Sequence, residues 1–71
     1  MSDSVYRVTE VIGVRSDSWE AAARNAVEAA ARTVRDLRVA EATRFDVTIQ
    51  DGKIADYRVR LDISFKYETG D

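Results

Sequence analysis

The chain has 71 residues, with eleven basic and thirteen acidic side chains, a formal net charge of −2, no cysteine and no histidine. Those absences exclude disulfides and thiolate zinc sites, and remove the usual neutral-pH general base and the commonest metal ligand. The near-neutral balance gives no basic footprint for nucleic acid, and a chain this short buries little surface and commonly relies on a staple, here partner subunits or a hard cation held by carboxylates.

The opening Met1-Ser2-Asp3-Ser4 lacks the basic and apolar regions of a signal peptide, and no apolar run approaches membrane-spanning length. The expectation is a soluble, cytoplasmic protein that engages neither membrane nor nucleic acid. Residues 5–13 (VYRVTEVIG) are β-branched and aromatic, a strand that Gly13 is expected to end. Asp17 followed by Glu20 fits a capping box, with Ser16 or Ser18 as the alternative cap. A helix is then expected from Trp19 to about Leu37, with Trp19, Ala22, Ala23, Ala26, Val27, Ala30, Val34 and Leu37 on one stripe. That stripe of small residues reads as a core face approaching a sheet, and Trp19 as its anchor. Glu20–Arg24 and Glu28–Arg32 are i,i+4 pairs on the polar face.

Residues 38–50 alternate as a second strand, and Asp51-Gly52 is a strong type I′ hairpin signal. Residues 53–68 form the third strand, with Tyr57, Val59, Leu61, Ile63, Phe65 and Tyr67 on one face and Arg58, Arg60, Asp62, Ser64 and Lys66 on the other. Residues 69–71 read as a frayed tail. There is no internal repeat, and residues 1–71 read as a single domain of α+β class. The expected fold is β-α-β-β: a three-stranded sheet in the order 1-3-2 wrapped on one helix, first and second strands parallel and the third antiparallel to the second.

A nineteen-residue helix spans about 28 Å, whereas strands of thirteen residues extend about 43 Å. One helix cannot cover that sheet, so the chain is expected to act as a subunit of a homo-oligomer. A two-residue turn at Asp51-Gly52 makes opposed positions sum to 103. Ala40, Ala42, Arg44 and Asp46 then face Ile63, Leu61, Val59 and Tyr57 on the helix side. Val39, Glu41, Thr43, Phe45 and Val47 face Ser64, Asp62, Arg60, Arg58 and Asp56 on the helix-free side, where exposed apolar residues suggest another chain or a ligand.

Val5-Tyr6-Arg7-Val8, Gly13, Ser18-Trp19-Glu20-Ala21-Ala22, Arg24-Asn25-Ala26, Asp51-Gly52-Lys53-Ile54 and Tyr57-Arg58-Val59 through Phe65 occur in an order and spacing that resembles the dodecins. The resemblance covers nearly the whole chain. It implies a hollow homododecamer that binds or stores a small ligand without turning it over. Typical dodecins hold flavins (FMN or riboflavin) in stacked pairs, using a tryptophan at the start of strand two and a glutamine on strand three. Those positions hold Val39, which has no stacking ring, and Arg58, which has no amide, so weak or lost flavin binding is expected on the pocket face of Val39, Phe45 and Arg58. The Arg38-Val39-Ala40 and Ser64-Phe65-Lys66 segments resemble the calcium-dodecin branch, whose name implies a cation site.

Two side-chain sets on this face are candidate sites. Glu41 opposite Asp62 places like charges across a strand pair, which destabilises unless a Ca²⁺ bridges them or Arg38, Arg60 or a neighbouring subunit compensates. Asp46 and Asp56 form a weaker acidic pair, expected on opposite faces. Arg58 and Arg60, beside Phe45, suit an anion such as phosphate or a nucleotide-like cofactor, or salt bridges between subunits. No EF-hand spacing is present, and no histidine, cysteine, phosphate loop or serine elbow supports an enzyme. A structural shell with no ligand is the remaining reading.

Overall fold

Asp51 and Gly52 both take positive φ, 53° and 75°, the condition that a tight two-residue hairpin turn imposes. From this turn the chain pairs back on itself as β2 (Leu37–Gln50) and β3 (Lys53–Lys66). β1 (Tyr6–Arg15) lies along the other side of β3, so the antiparallel sheet has the order β1-β3-β2, and one helix, α1 (Trp19–Ala31), lies between β1 and β2 in sequence. The computed structural model describes residues 4–67. Residues 1–3, the expected strand end at Glu68 and the tail beyond it lie outside that range; β3 closes at Lys66.

Ser18 is the true N-cap. Its Oγ accepts from the Ala21 N–H at 3.0 Å and its carbonyl from the Ala22 N–H at 3.0 Å. Asp17 turns away and pairs with Arg15 at 3.3 Å. The helix is six residues shorter than expected. It ends at Ala31, where Thr33 and Val34 both return their N–H groups to the Ala30 carbonyl, and Asp36 adopts φ 59° to launch β2. β-Branched Thr33 and Val34 add little to a helix, and aspartate is among the few non-glycine residues that enter the left-handed region readily. The helix therefore spans about 20 Å under a chain whose long axis extends 56 Å.

The core is small. Ala22 and Ala26 of α1 pack on Val59, Leu61 and Ile63 of β3, each of the three strand residues at most 2% exposed. Fully burying a side chain of that size contributes about 1.5–3 kcal/mol. Gly13 does not end the first strand; it sits inside β1, opposite Val59, because the helix crosses there. A Cβ on Gly13 would collide with the Ala22 carbonyl and meet the Ala26 Cβ at 3.0 Å. The alanine stripe and this glycine together let α1 settle onto β1 and β3. It barely touches β2, so Ala40 and Ala42 remain exposed although they share the helix-side face with Ile63 and Leu61.

The β2–β3 register departs from the expected one in the middle of the hairpin. Gln50 and Ile49 face Lys53 and Ile54 as the turn dictates, but Ala55 is then an extra residue and Thr48 faces Asp56. The pairs run Val47–Tyr57, Asp46–Arg58, Phe45–Val59 and Arg44–Arg60 until Thr43, the extra residue on β2, restores Ala42–Leu61, Glu41–Asp62, Ala40–Ile63 and Val39–Ser64. A β-bulge shifts register by one residue, and a one-residue shift exchanges the faces of every side chain it covers. A further bulge at Arg38 brings Leu37 opposite Phe65 and onto the core.

Candidate functional site

Extending the pairing to β1 turns the helix-free face into rows that cross all three strands. They are Val8–Ser64–Val39, Glu10–Asp62–Glu41, Ile12–Arg60–Arg44 and Val14–Arg58–Asp46. An apolar row thus borders a row of three carboxylates, which borders a row with two arginines.

Of the residues that the sequence pointed to on this face, Val39, Arg58, Glu41 and Asp62 lie there; Phe45 does not. The two bulges place Phe45, with Val47, on the helix side, opposite Val59. There its ring meets the Trp19 indole edge-on at a centroid distance of 5.8 Å, and the indole also meets Tyr57 at 5.0 Å. The Trp19 Nε1–H donates to the Asp46 carbonyl at 3.2 Å. Trp19 thus anchors the start of the helix to the hairpin, as a half-exposed aromatic cluster and not as a buried core residue. The same shift moves Asp46 and Asp56 onto one face, not two.

Val39 is 62% exposed. Its carbonyl accepts from the Ser64 Oγ at 3.3 Å, so the strand is fixed here while the side chain stands free of this chain's own packing. Arg58 is engaged: its Nε donates to Asp46 Oδ1 at 2.9 Å. This cross-strand ion pair arises from the shifted register, since an unshifted hairpin would have set Phe45 against Arg58. Thr48 Oγ1 donates to Asp56 Oδ2 at 3.4 Å one row further on.

Glu41 and Asp62 are direct cross-strand partners. The arginines that could have compensated them are otherwise placed. Arg60 reaches Glu10, at 3.6 Å, and Arg38 is the extra residue of a bulge. Among the described residues neither Glu41 nor Asp62 has an ion-pair partner. Glu10 escapes sequence reasoning because no turn fixes the β1–β3 register, and Arg44 because its face depends on a bulge. The signal for the bulge is present, however: the small and apolar residues of β2 switch from even positions (Ala40, Ala42) to odd ones (Phe45, Val47).

The donor set is all carboxylate oxygen, which suits a hard cation in kind. It falls short in number. Among the described residues no three acidic side chains converge closely enough to hold a metal by themselves, and Ca²⁺ takes six to eight oxygens. A larger concavity of about 500 Å³ lies elsewhere, between Arg7, Arg35, Asp36, Lys66 and Tyr67. It is the open groove left where the helix stops early. Arg7 lies 5.3 Å from the Tyr67 ring centroid beside it. No helix among the described residues is long and apolar enough to cross a membrane.

Comparison with known proteins gives a consistent result. A family model described as Dodecin matches residues 5–68. The calcium dodecin of Mycobacterium tuberculosis is 41% identical over 63 residues, 89% of each chain. Among solved structures, the dodecin of Streptomyces coelicolor superposes with a TM-score of 0.92 at 41% identity, covering 99% of this chain and 100% of its own. The calcium-chelating calcium dodecin of M. tuberculosis, described as carrying a novel calcium-binding site, has a TM-score of 0.81 at 42% identity over 96% of this chain and 97% of its own.

Proposed function

Because the chain belongs to the dodecin family, we propose that it assembles into a hollow cytoplasmic homododecamer and acts there as a non-enzymatic binding or storage protein whose helix-free sheet face takes Ca²⁺ at Glu41 and Asp62. The carrying observation is that these two carboxylates stand directly opposed with no ion-pair partner among the described residues to offset them. Two like charges in that position are destabilising by a fraction of a kcal/mol to about 1 kcal/mol, and a divalent cation between them reverses the sign. The oxygens that one copy lacks come from water or from a neighbouring copy. The calcium dodecin relative supports the same reading.

Flavin is the weaker ligand. Val39 presents no π-face where typical dodecins stack a tryptophan, and stacking is a large part of holding a flat ring. Arg58, at the glutamine position, has only donors and already serves Asp46. Riboflavin fluorescence is therefore expected to change little on adding the protein.

Calorimetric titration of CaCl₂ into chelator-treated protein tests the cation reading. Saturable heat is expected, with a raised melting temperature; at a hundredfold excess over Kd a single site stabilises by about 2.7 kcal/mol. Glu41→Gln and Asp62→Asn are expected to abolish both effects. No heat and an unchanged melting temperature in the parent protein would sink the reading.

A further inference from the structure

One row beyond the carboxylates, the helix-free face has a second unbalanced element. Arg44 and Arg60 are direct cross-strand partners, so two guanidinium groups rise side by side from neighbouring strands, an arrangement that is destabilising by itself. The nearby anions do not cancel it. Arg58 holds Asp46 at 2.9 Å. Arg60 reaches Glu10 only through NH1 at 3.6 Å, beyond hydrogen-bonding distance. Among the described residues Arg44 has no ion-pair partner.

Arg60 adds a second, independent observation. Its Nε is buried and meets no acceptor among the described residues. A buried donor left unmade is costly, more so when its group is charged. Arg60 also lines a cavity of about 30 Å³, together with Ile12, Arg44, Asp46 and Arg58. That volume suits one small sphere, a water molecule or a monatomic ion, and excludes a nucleotide or a flavin ring. Three guanidinium groups line it against one carboxylate, and that carboxylate is already engaged by Arg58. The lining therefore keeps a positive excess beside the apolar side chain of Ile12.

We propose that this cavity is a binding site for a monatomic anion of chloride's size, held between the Arg44 guanidinium and the Nε–H of Arg60. The anion supplies the acceptor that Arg60 Nε lacks and offsets the Arg44–Arg60 repulsion. It lies one row from the Glu41–Asp62 pair and uses none of its atoms, so it does not depend on the calcium reading.

The test uses the assembled protein in chelator. The ³⁵Cl resonance of NaCl is expected to show excess broadening that bromide titrates away and gluconate does not. The melting temperature is expected to be higher in NaCl than in sodium gluconate at equal ionic strength. Arg44→Gln, at an exposed position, should lose both the broadening and the salt-specific shift. Equal melting temperatures in the two salts would overturn the proposal, as would broadening that persists in Arg44→Gln. If Arg44→Gln fails to fold, Arg60→Lys is the second variant. It keeps the charge but removes the Nε–H, and retained broadening there overturns the proposal. Inorganic phosphate competing as well as bromide would also overturn it, because the site proposed is one for a monatomic anion.

Discussion

The two faces of β3 differ in whether this chain completes them. On one, Val59, Leu61 and Ile63 are closed over by Ala22 and Ala26, with Gly13 cut back to let the helix in. On the other, no element of the described chain lies across the sheet. Carboxylates face carboxylates, guanidinium faces guanidinium, and Val8 and Val39 stand more than 60% exposed at one end. Even the helix side is only partly covered, since α1 leaves Ala40, Ala42 and Phe45 uncovered along β2 and the hairpin tip presents Ile49 at 70% exposure. A polypeptide this short completes one half of one layer and leaves the remainder of its described surface open.

Substitutions on the two faces should separate sharply. Leu61→Ala is expected to destabilise by about 2–5 kcal/mol, since it opens a cavity against two alanines that cannot expand to fill it. Urea denaturation at fixed protein concentration measures it. A loss below 1 kcal/mol would mean that the helix side is not the core. Gly13→Ala should follow at about 1–3 kcal/mol, through overpacking against the Ala22 carbonyl. Thermal melts that match the parent would show that the helix can shift without penalty. Ser18→Ala should lose about 1 kcal/mol by removing the bond to the Ala21 N–H.

The helix-free face should respond in the opposite sense. Asp62→Asn, measured in chelator, is expected to stabilise by about 0.2–1 kcal/mol by removing a like-charge opposition. The same substitution should remove any calcium effect. Destabilisation in chelator would imply an unseen partner for Asp62. Smallest in stability terms is Val39→Trp, which adds an aromatic surface at an exposed position. It should leave the melting temperature nearly unchanged while increasing quenching of riboflavin fluorescence. Strong quenching by the unsubstituted protein would reverse the reading of this pocket.

How far the sequence carried each feature follows from what fixes it physically. The hairpin was legible because Asp51-Gly52 admits few conformations. The strand order was legible from alternation, and the helix start from the run of capping residues Ser16, Asp17 and Ser18, although the capping box at Asp17 points one residue short of the true cap, Ser18. The helix end was not, because neither glycine nor proline marks it and Asp36 makes the left-handed turn instead. Gly13 reads as a strand end in the sequence because close helix packing and strand termination call for the same residue.

For the site, the opposition of Glu41 and Asp62 was legible for an instructive reason. One extra residue on β3, Ala55, and one on β2, Thr43, offset each other, so the register set by the turn returns at Ala42 and holds through Val39. Between the two bulges it does not hold, which moved Phe45 to the aromatic cluster around Trp19 and put Arg44 beside Arg60. Glu10 stayed hidden because the β1–β3 pairing is set by helix packing at Gly13 and by no local turn.

Light scattering on the protein eluting from a size-exclusion column tests most directly whether the incomplete faces are completed by further copies. The expected mass is twelve times the 8.0 kDa chain. A monomer or dimer, with these faces left to solvent, would contradict it.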